Sequence, residues 1–209
     1  MDLLKMTIED FIDLLGSDAP APGGGSAAAL YGCVGMALTG MVAALTIGRA
    51  KYKAEEPLMQ TLLAKSETLK QKMMDGINRD TASFNGVSAV FKMPKVTEEE
   101  KALRSQAMQD ALKEATTTPF ALMCDVLEAL ALTERAVGHS NPNAASDLGV
   151  SAIGLKAAAQ SAWLNVLINL SGIKDDAFVE QYKRDGAAIL DRVNTLADSV
   201  YNDVMKAVL

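Results

Sequence analysis

The stretch that decides the fold is Ser26 to Ile47, SAAALYGCVGMALTGMVAALTI, twenty-two residues without a charge. By length alone it could cross a bilayer. Its composition argues otherwise: most of it is Ala, Gly, Ser and Thr, which gain little from hydrocarbon, and Arg49, Lys51 and Lys53 flank only one end. Ala28 and Gly32, and likewise Ala29, Cys33 and Ala37, recur every four residues, so one side of a helix here admits close approach of another backbone. The same spacing serves membrane helices. With so little large apolar surface it reads as the buried helix of a soluble bundle.

Working outward, every neighbouring segment carries a helical period and strand alternation never persists. Thr7 with Asp10 predicts a cap before Ile8, Phe11, Ile12, Leu14 and Leu15, with Gly16 as the stop. A loop from Ser17 to Gly25 leads into the small-residue helix, which opens near Ser26. A second long helix is predicted from Pro57, with Leu58, Leu62, Leu69, Met73 and Ile77 along one face, continuing through Phe84 to Phe91. Met93-Pro94-Lys95 breaks it. Thr97, followed by Glu98, Glu99 and Glu100, starts the next helix, since a hydroxyl cap and acids suit a helix N-terminus. Pro119 is expected to interrupt that run before the apolar segment Phe120 to Val137. After the loop Gly138 to Asn143, Ser146 is a candidate cap for a helix from Asp147 to about Asn169, and a last helix runs from Asp175 after a break at Gly172. The fold class is therefore all-α: residues 1–209 as a single domain, a bundle of six or seven helices.

Composition bounds the function. The 209 residues are 49% apolar and carry a formal charge of −6, which excludes disorder and a general electrostatic grip on nucleic acid. An anionic ligand must be met by a local cluster of cations. Cys33 and Cys124 lack metal-ligand spacing and read as small core fillers, and no secretory signal opens the chain, so a reducing cytoplasm is the expected location.

Two polar loops and one polar stretch carry the chemical signal. In Pro20-Ala21-Pro22-Gly23-Gly24-Gly25-Ser26 the prolines stiffen an approach to glycines whose amides can face an anion or an oxyanion. The plainer alternative is a tight turn with Ser26 as N-cap. Gly138-His139-Ser140-Asn141-Pro142-Asn143-Ala144-Ala145-Ser146-Asp147 gathers amides, hydroxyls, a carboxylate and the only histidine ahead of an apolar helix. Asp147 is its sharpest candidate for proton transfer, although an acid there also serves the helix macrodipole. His139 reads as a solvated loop residue. Asn78, Thr81 and Asn85 form a polar stripe on the second long helix, with Asp80 one position off it. Arg49-Ala50-Lys51-Tyr52-Lys53 is a local positive patch suited to carboxylates.

These pieces, in this order, resemble the cyclodeaminase/cyclohydrolase family, which comprises the cyclodeaminase portion of formiminotransferase-cyclodeaminase and stand-alone methenyltetrahydrofolate cyclohydrolases. The resemblance rests on the glycine loop with Ala27, Ala28 and Ala29; on Leu45-Thr46-Ile47-Gly48-Arg49 and Tyr52; and on Arg79-Asp80-Thr81-Ala82-Ser83-Phe84 with Met93-Pro94-Lys95. It continues through Arg104, Ala107, Gln109 and Pro119, then Asn141 to Val150, and Leu164-Asn165-Val166-Leu167-Ile168-Asn169-Leu170. One departure is Asn78, where many relatives carry an acid two places before Asp80.

The resemblance implies a helical subunit that forms a homodimer, a tetrahydrofolate derivative as substrate, and no metal or redox cofactor. It implies hydrolysis of 5,10-methenyltetrahydrofolate to 10-formyltetrahydrofolate; the alternatives are formiminotetrahydrofolate cyclodeamination with release of ammonia and a noncatalytic folate-binding dimer. No formiminotransferase segment accompanies these residues, which favours the hydrolase. Both reactions pass through a tetrahedral carbon and want a carboxylate to move protons. The roles expected on this basis are Asp147 or Asp80 for the proton, Ser26 with Gly23, Gly24 and Gly25 for orientation, Asn141, Asn143 and Ser146 for polar groups of the folate, and Arg49 with Lys51 for its glutamate carboxylates.

Overall fold

A computed structural model describes residues 2–209. Six α-helices follow in order: α1 (Ile8–Leu15), α2 (Gly24–Thr46), α3 (Glu56–Phe91), α4 (Glu98–Ala136), α5 (Ala145–Leu170) and α6 (Asp176–Val208). Single 3₁₀ turns lie at Leu3–Lys5, Ala50–Tyr52 and Pro142–Ala144, and no strand occurs among the described residues.

Helix α2 lies between α3 and α5, while α4 packs behind against α3, α5 and α6. Its missing side chains set that geometry. A Cβ on Gly35 would stand 2.8 Å from Leu155 Cγ and 3.0 Å from the Ser151 carbonyl, and one on Gly154 would meet the Tyr31 carbonyl at 3.4 Å. At this crossing buried hydroxyls replace larger side chains: Thr39 Oγ1 lies 2.8 Å from Thr133 Oγ1 and 2.9 Å from Ser151 Oγ, and Ser151 donates to the Gly35 carbonyl at 2.7 Å. Around this contact Met36, Met73, Met123, Leu130 and Leu155 are fully buried. Helices α2 and α4 both have the length and hydropathy of a membrane span, yet about half of each apolar window is packed inside the bundle.

The caps at Thr7 and Thr97 form as the sequence predicts, the second as a reciprocal capping box with Glu100. Four expectations are corrected. Pro119 does not interrupt α4, which runs through it. Proline removes the donor for the carbonyl four residues earlier, and here Asn169 Nδ2 donates to the Ala115 oxygen instead, at 2.8 Å. Ser26 is no N-cap: α2 begins at Gly24, which turns the Ser26 side chain inward. Ser146 is no cap either, because the Pro142–Ala144 turn runs directly into α5 and places Ser146 inside the first helical turn. Cys124 is exposed, whereas Cys33 is buried and its thiol is pushed up to about 12 by that burial.

Replacing Gly35 with Ala should destabilise the fold by about 1–3 kcal/mol, since the added methyl meets backbone as well as a side chain. Urea unfolding would read this as a lower midpoint at unchanged slope.

Candidate active site

The polar residues fall into two groups at opposite ends of α2, a helix of 23 residues and therefore about 35 Å long. At its N-terminus the glycine loop meets the middle of α3 and the C-terminal half of α5. A cleft of about 340 Å³ opens there, walled by Gly23 to Gly25, Asp80, Phe84, Asn165 and Asn169. This size suits a small-molecule ligand.

Asp80 is the carboxylate of this cleft. The tight approach requires Gly25, because a Cβ at that position would overlap the Asp80 carboxylate. Ser26 Oγ lies 3.0 Å from Asp80 Oδ2 and 3.0 Å from the Ile77 carbonyl, with Thr81 Oγ1 at 3.3 Å. Its single proton is shared between two acceptors while Thr81 can donate to it. Burial raises the pKa of Asp80 above the ordinary carboxylate value, and hydrogen bonds from the Ser26 hydroxyl and amide partly offset the rise. Ser26 is wholly buried, so it acts through Asp80 and has no open path to a ligand.

Asn165 and Asn169, one helical turn apart on α5, complete the wall. The Asn165 side chain sits beneath Gly24 and donates to the Ser161 carbonyl at 2.8 Å, and Asn169 is held by the carbonyl that Pro119 frees. Sequence reasoning assigned neither to the site. The signal was available, for two amides four residues apart in an apolar helix share one face.

The second group surrounds the C-terminus of α2. Thr46 Oγ1 accepts the Asn141 amide at 2.9 Å, Asn141 Oδ1 accepts the Asn143 amide at 3.1 Å, and His139 Nδ1 lies 3.1 Å from Glu55 Oε2. Asp147 is half-buried in the first turn of α5, and Asn143, Ser146, Arg49 and Lys51 are exposed nearby. Within one subunit, Asp80 and Asp147 therefore do not share a site. Of the polar stripe, only Thr81 faces the cleft network; Asn78 instead accepts from the Leu3 amide and donates to Asp2, tying down the N-terminus.

Fold and site together define an α-helical enzyme-like domain in which a desolvated carboxylate faces a glycine-lined cleft. Residues 7–188 match the formiminotransferase-cyclodeaminase family, and the chain belongs to it. It is 40% identical over 202 residues to methenyltetrahydrofolate cyclohydrolase of Methylorubrum extorquens, covering 97% of each chain. It is 32% identical over 195 residues to the formimidoyltransferase-cyclodeaminase of Sus scrofa, covering 93% of this chain and 36% of that protein. The formiminotetrahydrofolate cyclodeaminase structure from Thermotoga maritima superposes with a TM-score of 0.81 at 27% identity, covering 98% of this chain and 96% of that one.

Because burial favours protonated Asp80, the stability it contributes is complete below its unfolded pKa and is lost as pH rises through the raised folded value. Asp80→Asn should therefore melt at or above the wild-type temperature at neutral pH. The difference should shrink to nothing as pH falls below the carboxylate range, as calorimetry across that range would show.

Proposed function

We propose that this chain hydrolyses 5,10-methenyltetrahydrofolate to 10-formyltetrahydrofolate in the Asp80 cleft. The observation that carries the reading is the half-buried carboxylate set against glycine backbone and two asparagine amides, joined to full-length similarity to a protein named as that hydrolase. Phe84 and Ile168 offer apolar surface to the substrate's rings, while Asn165 and Asn169 offer hydrogen bonds to the pterin edge.

In the reaction, Asp80 as carboxylate takes a proton from water while the water oxygen bonds to the methenyl carbon. The tetrahedral adduct opens by breaking its bond to N5, which receives the proton from Asp80. Loss of the adduct's hydroxyl proton to solvent leaves the formyl group on N10. The raised pKa keeps the carboxyl a competent proton donor in the second step. Turnover requires ionised Asp80, so the rate should climb with pH through the raised pKa and then level. Asp80→Asn should lower kcat by about 10²–10⁴-fold. Loss of methenyl absorbance measures this, with ammonia release from formiminotetrahydrofolate followed in parallel. Hydrolysis without ammonia release supports the hydrolase; ammonia release from the second substrate would make the protein a cyclodeaminase.

The working unit in this proposal is a homodimer. Tyr31, Val34, Met41 and Leu45 on α2 and Val150, Ile153, Leu164 and Ile168 on α5 are exposed large apolar side chains along one face of two antiparallel helices. Twofold packing of this face on itself would set the C-terminus of one α2 beside the N-terminus of its mate. It would carry Asn141, Asn143, Ser146, Asp147, Arg49 and Lys51 of one subunit toward the Asp80 cleft of the other. Asp80→Asn and Asp147→Asn subunits, each inactive alone, should then regain turnover when mixed and reassembled, since one of the two sites in a mixed dimer escapes both changes. Absence of recovery would confine the chemistry to one subunit.

A further inference from the structure

A second, narrower space also reaches Asp80, between α3 and α4 and away from the α5 asparagines. Gly25 and Asp80 line both this chamber and the cleft, so the half-buried carboxyl stands in the wall between them. The chamber passes Ala29 of α2, Gly76 of α3, and Thr118, Pro119 and Leu122 of α4. A water's centre can reach about 10 Å³ of it, which takes about one water and is too narrow for a folate ring. At its solvent side stand Lys72 and Arg79, both exposed, and Asp125. Lys72 Nζ lies 3.3 Å from Asp125 Oδ1, and Arg79 Nη2 donates to the Lys72 carbonyl at 3.1 Å, so side chains of both helices hold the mouth in shape.

Gly76 keeps this space open. Inside a helix glycine is unfavourable beside alanine, and elsewhere in the bundle close packing requires it: a Cβ on Gly25 would overlap the Asp80 carboxylate, and one on Gly32 would press on the Met73 sulfur. At Gly76 no such demand exists. From the neighbouring helices a Cβ there would meet only the Ala29 methyl, at 3.5 Å, an ordinary contact. What a methyl would take is the chamber itself.

The hydrolysis gives the chamber a task. One water adds to a cationic methenyl carbon; the first of its protons ends on N5, and the second must leave as the neutral formyl group forms. With a folate seated in the cleft, the front of Asp80 is covered. Having protonated N5, Asp80 is again a carboxylate and takes the second proton from the adduct's hydroxyl. A water in the chamber then carries it to Asp125 or to bulk solvent, which leaves Asp80 ionised for the next turnover. Of the residues lining the two spaces, the charged ones besides Asp80 are Lys72 and Arg79 from α3 and Asp125 from α4, while α2 and α5 contribute neutral groups alone.

We propose that this chamber is the exit through which Asp80 gives up its proton while a folate covers the cleft, and that Gly76 is the positioning residue that keeps it open to water. This rests on the reading of Asp80 as the group that transfers protons in a folate cleft.

The test compares G76A with the wild type and with G86A, which adds the same methyl to α3 at an exposed position where nothing lies within 4 Å. Both variants should melt at or above the wild-type temperature. In steady-state hydrolysis G76A should lower kcat by about tenfold, less than loss of the proton-transfer group itself, and enlarge the solvent isotope effect at unchanged KM. G86A should match the wild type. A second measurement needs no turnover: a pH jump followed by the infrared carbonyl band of protonated Asp80, identified by its loss in D80N. Relaxation should be equally fast in the free wild type and free G76A, whose clefts are open. With pteroylglutamate bound, G76A alone should slow, by about tenfold. Equal relaxation of the liganded wild type and G76A, or a kcat loss shared by G86A, overturns the proposal. A wild type that leaves methenyltetrahydrofolate unhydrolysed, with the lag in liganded G76A present, overturns the hydrolase reading and leaves the exit; hydrolysis without the lag does the reverse.

Discussion

The close approach of the α2 backbone to its neighbours is the constraint on which the rest of the structure depends. Side chains are withheld at Gly35 and Gly154, where α2 and α5 cross, and at Gly32, where a Cβ would press on the Met73 sulfur of α3. Interiors are packed near crystal density, so the positions of α3 and α5 follow from how near α2 lets them come. The buried hydroxyls of Thr39, Thr133 and Ser151 fill the remaining space without an unmatched polar atom among them. The energetic benefit of that economy is contact area, which large side chains on α2 would have replaced with strain.

The same economy produces the site. Gly25 brings Asp80 against the start of α2, and the resulting desolvation raises the proton affinity of an ordinary aspartate. Ser26 limits the cost by supplying hydrogen bonds from behind. On the opposite wall a helix irregularity performs the comparable task. Pro119 frees a carbonyl, and satisfying it fixes the rotamer of Asn169 toward the cleft. Two features that would otherwise weaken a helix, a glycine-rich start and an internal proline, thus hold the polar groups in place.

Charge is distributed along the bundle with the same logic. An acidic protein repels anions at long range, so an anionic ligand must be met by cations gathered locally. They gather in two places, at the far end of α2 and where α3, α4 and the segment after α5 come together. The second draws on α3 and α4, which also wall the Asp80 cleft. Helices α2 and α5, in turn, leave large apolar side chains exposed along one face.

Much of this was legible in the linear order of residues. Thr7 and Thr97 declare helix starts because a hydroxyl before an acidic first turn has a local job that needs no tertiary contact, and the four-residue spacing of small side chains in Ser26 to Ile47 announces a buried helix. Asp80, Gly25 and the polar loops stand out for similar reasons. Other features depend on groups distant in sequence. Pro119 reads as a break because its own helix cannot supply the missing donor; Asn169, fifty residues later, removes that penalty. Ser26 reads as a cap until Asp80 and Ile77 are brought to it. Arg49, Lys51 and Asp147 read as partners of the glycine loop, but they lie at the opposite end of the 23-residue α2, a helix about 35 Å long. By itself, then, the sequence determined the helical class, the family and the chemical types at the site, because these rest on local period, local hydrogen bonding and ordered motifs. Only the tertiary structure decided which of those groups share a cleft and which carboxylate is desolvated, because distance and burial arise from packing between helices.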